Sequence, residues 1–172
     1  MGIPLFHVAL ELEREGFKLF NELAHQTKEE SGWKMFLALA HQERDHIAAL
    51  EKEIDRRKGR GGDLPQDVQN QVAEYRSKLL GALEEVKRKS RAAVGPHTGQ
   101  IQALEVAEKM EEFICNFYAD AISRTESQQS KEFFLQMLEM EQGHRDLLEG
   151  SIAYLVDPER VHVERLRPSG DA

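Results

Sequence analysis

The stretch LALAHQERDHIAALE (Leu37–Glu51) reads as an amphipathic helix. Counted in steps of three and four, its core-facing stripe is Phe36, Leu39, Glu43, His46 and Leu50. A glutamate and a histidine therefore stand in line with core residues. Burying a carboxylate without a partner costs several kcal/mol, so the pattern demands a compensating partner.

A shift of 98 positions supplies a twin, LQMLEMEQGHRDLLE (Leu135–Glu149), whose stripe is Phe134, Met137, Glu141, His144 and Leu148. The same offset relates Glu13 to Glu111, Ala9 to Ala107, Thr27 to Thr125, Phe36 to Phe134 and Leu50 to Leu148, and nearly matches Phe20 to Tyr118. Glu13 lies on the stripe Phe6, Ala9, Glu13, Gly16, Phe20, Leu23. Glu111 lies on the stripe Leu104, Ala107, Glu111, Ile114, Tyr118, Ala121. The chain thus contains two copies of a helical hairpin. Each carries one Glu on its first helix and Glu-x-x-His on its second.

Residues i and i+3 share a helix face, so each Glu-x-x-His pair can aim two ligands at one point between helices. Four clustered carboxylates would repel one another. Two divalent cations would balance them, with neutral imidazoles completing the ligand set. Oxygen and nitrogen donors without sulfur suit Fe, Mn, Co or Zn. Such a set is a known solution for two-metal sites in helical bundles. The competing readings are surface charges out of phase with the core stripe, or a buried salt-bridge network.

The rest of the chain fits one all-α domain of 172 residues. Helices are expected from Pro4 or Leu5 to Ala24 or His25, from Gly32 to Arg56 or Arg57, from Thr98 (a candidate N-cap) to Arg124, and after TESQQS to Val156. The short turn QTKEES makes the first two antiparallel neighbours. Between the hairpins, residues 53–99 form a crossover with breaks at RKGRGGDLPQD and VGPHTG. Its helix spans ~37 Å at 1.5 Å per residue, long enough to return along a bundle; its apolar side is Val68, Val72, Tyr75, Leu79, Leu83 and Val86. The predicted architecture is a four-helix bundle over residues 1–156, ordered up, down, down, up, with a tail over 157–172.

The net charge of −8 argues against nucleic acid or an anionic membrane as the main partner. The basic runs RRKGR and KRKSR read as solvated helix ends, with a docking patch for an acidic partner protein as the alternative. No apolar run approaches the ~18–20 residues that span a bilayer, and the N-terminus lacks signal-peptide features. The single cysteine, Cys115, excludes a disulfide framework and a thiolate metal site, which places the protein in the cytoplasm. There is no phosphate-binding loop and no nucleophile elbow.

Secondary positions carry open alternatives. Gly16 leaves space for a small oxidant or permits close helix packing. Cys115 is an inert buried thiol or a redox relay. Tyr118 hydrogen-bonds a metal carboxylate or simply packs. His7, His25, His41, His97 and His162 have no repeat partner and are read as non-ligands; His41 points about 140° away from His46 around the helix.

ALELEREGFKLFNELA and AEKMEEFICNFYADA, each with an aromatic seven residues after the Glu (Phe20, Tyr118), resemble the Glu helices of the rubrerythrin branch of the ferritin-like di-iron proteins. AHQERDHIAALE and EMEQGHRDLLEG resemble its Glu-x-x-His helices. The resemblance covers Phe6 to Val156. It implies that Glu43 and Glu141 bridge two metals, that Glu13 and Glu111 are terminal ligands, and that His46 and His144 each cap one metal. It implies two iron ions, with Mn or Zn as alternatives, and reduction of H₂O₂ or O₂ in an oxidative-stress or iron-handling role. It also implies a homodimer in which the crossover takes part in contacts or swapping.

The sequence departs from that family in two places. Rubrerythrins proper carry an additional Glu three residues after the third-helix ligand, used when one iron shifts on oxidation; here that position is Ile114. No Cys-x-x-Cys pairs of a rubredoxin module are present, so a separate rubredoxin-type protein or reductase is expected to supply electrons. Both departures lean toward the alternative of an iron-binding or sequestering protein with little turnover.

Overall fold

The computed structural model describes residues 3–58, 65–90 and 98–159. They form five helices: α1 (Ile3–Gln26), α2 (Glu30–Lys58), α3 (Gln66–Ser90), α4 (Thr98–Arg124) and α5 (Gln128–Val156). The fold is an all-α, ferritin-like bundle of α1, α2, α4 and α5, with α3 as the helical crossover. Glycine-rich residues 59–64, most of the VGPHTG break and the tail from residue 160 lie outside the described residues, as do His97, His162 and the side chains of Thr98 and Val86.

α2 begins at Glu30, two residues earlier than its sequence reading, because Glu30 carries a negative charge suited to a helix N-terminus. The α1 end is closed by Thr27, whose hydroxyl donates to the Leu23 carbonyl at 2.7 Å. Ser127 caps α5 by accepting the Ser130 N–H at 3.4 Å. At the other end the Asp157 N–H bonds the Ala153 carbonyl.

Residue pairings fix the helix directions. Arg57, near the end of α2, sits over the ring of Phe6 at the start of α1, 4.3 Å from its centroid. Glu13 meets Tyr118 while Gly16 faces Met110, so α1 and α4 are antiparallel. Gln42 meets His144 while Met35 meets Ser151, so α2 and α5 are antiparallel. Phe6 packs on Phe134 at 4.5 Å between ring centroids, which sets α1 parallel to α5. The order is up, down, down, up.

Every residue of the four core stripes is buried, including all six polar ones. Phe6, Phe20, Phe36, Phe134 and Tyr118 are fully enclosed. Burying each such ring stabilises the bundle by roughly 1.5–3 kcal/mol, and these rings form layers on either side of the polar centre. α3 lays Leu79 and Leu83 against the bundle, packing on α1 and α4 of its own chain. Arg76 pairs with Glu15 at 2.9 Å, and the Tyr75 hydroxyl donates to Asp120 at 3.2 Å.

One sequence expectation needs correction. In the run RRKGR, Arg57 is not a solvated helix end. Its side chain is only 16% exposed, pairs with Glu53 at 2.6 Å and covers Phe6. A planar guanidinium can hold a carboxylate and stack on an aromatic face at once. Among the described residues, no helix is long and apolar enough to cross a membrane.

Candidate metal centre

The centre lies midway along the bundle, where all four bundle helices turn a polar residue inward. α1 supplies Glu13, α2 supplies Glu43 and His46, α4 supplies Glu111, and α5 supplies Glu141 and His144. The four carboxylates are fully buried, and the imidazoles are only 5% and 4% exposed. The two rings lie nearly parallel, 5.4 Å between centroids and 13° between planes.

The atoms fall into two overlapping groups. Ligand atoms of Glu13, Glu43, His46 and Glu141 lie within 4.8 Å of one another, and so do those of Glu43, Glu111, Glu141 and His144. Glu43 and Glu141 belong to both groups. His46 Nδ1 is 3.5 Å from Glu43 Oε2, 2.7 Å from Glu141 Oε1 and 3.4 Å from Glu13 Oε2. His144 Nδ1 is 3.3 Å from Glu43 Oε1, 3.1 Å from Glu141 Oε2 and 3.2 Å from Glu111 Oε1. Each shared carboxylate thus offers one oxygen to each half.

Most of these atoms lack a hydrogen-bond partner. Both oxygens of Glu43, both of Glu141, Oε2 of Glu13, Oε2 of Glu111 and Nδ1 of His46 are buried and unsatisfied. Even the 2.7 Å approach of His46 to Glu141 lacks hydrogen-bond alignment. Each such orphan costs about 1–3 kcal/mol. The arrangement fits a two-metal site, because donors that converge without pairing are the donors a cation would satisfy.

Without cations, protons balance the charge. Burial, then repulsion from Glu141 and Glu43, holds the Glu13 carboxyl well above its ordinary range. Burial does the same for Glu111, against an opposing contact from His144. Burial would raise Glu43 too, but its contacts with Glu13 and both histidines outweigh it and bring it down to about 2. Burial disfavours charge on the imidazoles, yet the surrounding carboxylates prevail: His46 is raised strongly and His144 is pushed up to about 12.

Around the six, Tyr118 donates its hydroxyl proton to Glu13 Oε1. Burial, reinforced by Glu13, raises the phenol well above its usual value, so it stays protonated. Its repeat equivalent, Phe20, is buried but has no donor. Gly16 faces the centre, and a Cβ there would lie 3.4 Å from Glu43 Cδ and 3.4 Å from Met110 Cε. The space at Gly16 is therefore taken up by the Glu43 carboxylate and a methionine methyl. Ile114 is fully buried and places an apolar side chain one turn from Glu111. Cys115 is buried, and burial followed by repulsion from Glu111 and Glu141 pushes its thiol up to about 12.

His25 and His41 are exposed and stand apart from the centre, and His7 is buried outside it. The sequence reading missed Gln42, whose side-chain carbonyl accepts the Nε2–H of His144 at 2.7 Å. Its only sequence signal was a polar residue next to Glu43, which is unremarkable on a surface-facing helix position. Gln42 and His144 share a surface groove of about 370 Å³ with His46, Asp45 and Met140.

Comparisons with curated proteins and with solved structures gave no match. A family model described as Rubrerythrin matches residues 5–152, a span that contains all six convergent residues. By that match the chain belongs to the rubrerythrin family.

Proposed function

We propose that this chain is a di-iron oxidoreductase of the rubrerythrin type that reduces H₂O₂ or O₂ at a carboxylate-bridged centre. The observation that carries this reading is the pair of overlapping ligand groups sharing Glu43 and Glu141. Glu43 and Glu141 would bridge, Glu13 and Glu111 would be terminal ligands, and His46 and His144 would each cap one ion through Nδ1. Two ferrous ions would supply one electron each, so that H₂O₂, two electrons and two protons give two waters.

The chain's own residues prepare this chemistry. Glu43 and Glu141, whose oxygens reach both ligand groups, would hold the two ions and would offset the charge added on their oxidation. The aromatic and aliphatic layers above and below exclude bulk water, which strengthens every charge interaction inside. Tyr118 keeps its proton on the hydroxyl at Glu13 Oε1 and orients that carboxylate so that Oε2 faces the centre. Mn or Zn would fit the same donors. In the same reading the protein is a cytoplasmic homodimer and takes electrons from a separate rubredoxin-type protein or reductase. The large apolar residues Met140, Leu147 and Tyr154, exposed on α5, support an association surface.

The fully buried Ile114 favours a second reading, an iron-binding protein with little turnover. Anaerobic stopped-flow mixing of the Fe(II)-loaded protein with H₂O₂ separates the two. Oxidation faster than that of free Fe(II) is expected. A rate no faster than free Fe(II) leaves only sequestration.

A further inference from the structure

The two halves of the centre are not equivalent, and the difference lies at residues that the 98-position repeat pairs with unlike partners. Gln42 reaches from α2 to α5 and accepts the Nε2–H of His144 at 2.7 Å. The repeat equivalent of Gln42 is Met140, which lines the same groove above the two histidines. A thioether is at best a weak acceptor. A second asymmetry works in the same direction: Tyr118 donates to Glu13, on the His46 side, and draws charge from that carboxylate. Phe20 stands at the equivalent position for Glu111 and draws none.

A ligating imidazole must present a bare nitrogen to its metal. Which nitrogen is bare depends on the hydrogen bond made by the other. With Nε2–H committed to Gln42, the neutral ring of His144 leaves Nδ1 bare, the atom already 3.1–3.3 Å from three carboxylates. Resting on the two-metal reading above, we propose that Gln42 is a positioning residue. It fixes the tautomer and ring orientation of His144 and makes the position formed by Glu43, Glu111, Glu141 and His144 the tighter of the two. The position formed by Glu13, Glu43, His46 and Glu141 is the more labile one.

The test is an anaerobic titration of the metal-free, full-length chain with Co²⁺, whose visible absorption reports each binding step. The wild type is expected to take up two Co²⁺ in separated steps. Gln42→Leu should weaken the tighter step by about 10–100-fold and leave the other unchanged. Gln42→Glu, which keeps an acceptor at the same reach, should restore it. Met140→Gln should tighten the weaker step. Because Gln42 is exposed, Gln42→Leu should keep the far-ultraviolet circular dichroism of the wild type, with a metal-free melting temperature lowered only by the loss of the one hydrogen bond to His144. Unchanged stepwise constants in Gln42→Leu, or equal weakening of both steps, would overturn the role of Gln42 and leave the two-metal reading standing. A wild type that binds no Co²⁺ would remove both.

Discussion

Replacing Glu141 with methionine should destabilise the metal-free protein and abolish its response to metal. Glu141 is fully buried, and neither of its oxygens has a hydrogen-bond partner. It stands 2.7 Å from His46 Nδ1 and 3.1 Å from His144 Nδ1, among three other enclosed carboxylates. Methionine has a similar length and a good helix propensity. Removing one partner of a buried ion pair is destabilising by about 3–5 kcal/mol, and here it leaves behind the two imidazoles that Glu141 helps to hold protonated. A loss of about 3 kcal/mol in a chain of this size lowers the melting temperature by about 6–12 °C. In the wild type, free metal at about 100 times its Kd adds ~2.7 kcal/mol for a single site, a shift of similar or larger size. Circular dichroism melts in chelator and in excess Zn²⁺ should therefore show Glu141→Met below wild type without metal, and a gap that widens with metal because the wild type rises and the variant does not. If the variant gains as much from metal as the wild type does, Glu141 holds no cation and the shared-carboxylate geometry is refuted. If the wild type gains nothing from metal, the bundle is structural only.

The other predictions follow from the same geometry. The metal-free centre stores protons on groups whose folded pKa values are raised, namely Glu13, Glu111, His46 and His144. Their stabilising contribution is complete below the ordinary values of 4.5 for the carboxyls and 6.5 for the imidazoles, and it is lost as pH rises toward the folded values, about 12 for His144. Metal must displace these protons, so affinity rises with pH. The gap between metal-loaded and metal-free melting temperatures should widen between about pH 5.5 and 8; a constant gap refutes the stored protons. Gly16→Ala should retain both metals, because a methyl 3.4 Å from Glu43 Cδ makes ordinary contact. Gly16→Val should lose at least tenfold in affinity by displacing that carboxylate, and equal Co²⁺ titrations of the two variants would contradict this. With its pKa moved from 9.0 to about 12, Cys115 should carry about 10³-fold less thiolate than a free thiol. A disulfide reagent should label the native protein only at its opening rate and label the urea-unfolded chain at once; fast labelling of the native chain would show an accessible thiol.

Much of the centre was legible in the linear order of residues because helical periodicity is local. A carboxylate at i and an imidazole at i+3 share a face whatever surrounds them, and the repeat marked the faces that needed one another. Glu13, Glu43, His46, Glu111, Glu141 and His144 could therefore be named before any coordinate was known. The helix order followed from connection lengths, and the crossover's reach from 1.5 Å per residue. Tertiary structure decided what depends on side chains from different helices. Gln42 gained a role only when α5 was seen across the groove from α2. Tyr118 could have served any nearby carboxylate, and the antiparallel packing of α1 on α4 assigned it to Glu13. Gly16 could have opened a path or allowed close packing, and the position of Glu43 filled the space. Arg57 looked like a solvated terminus until the start of α1 brought Phe6 beneath it. These contacts lie between helices, where no sequence period records register. The sequence determined which residues face inward, and the packing determined which of them meet.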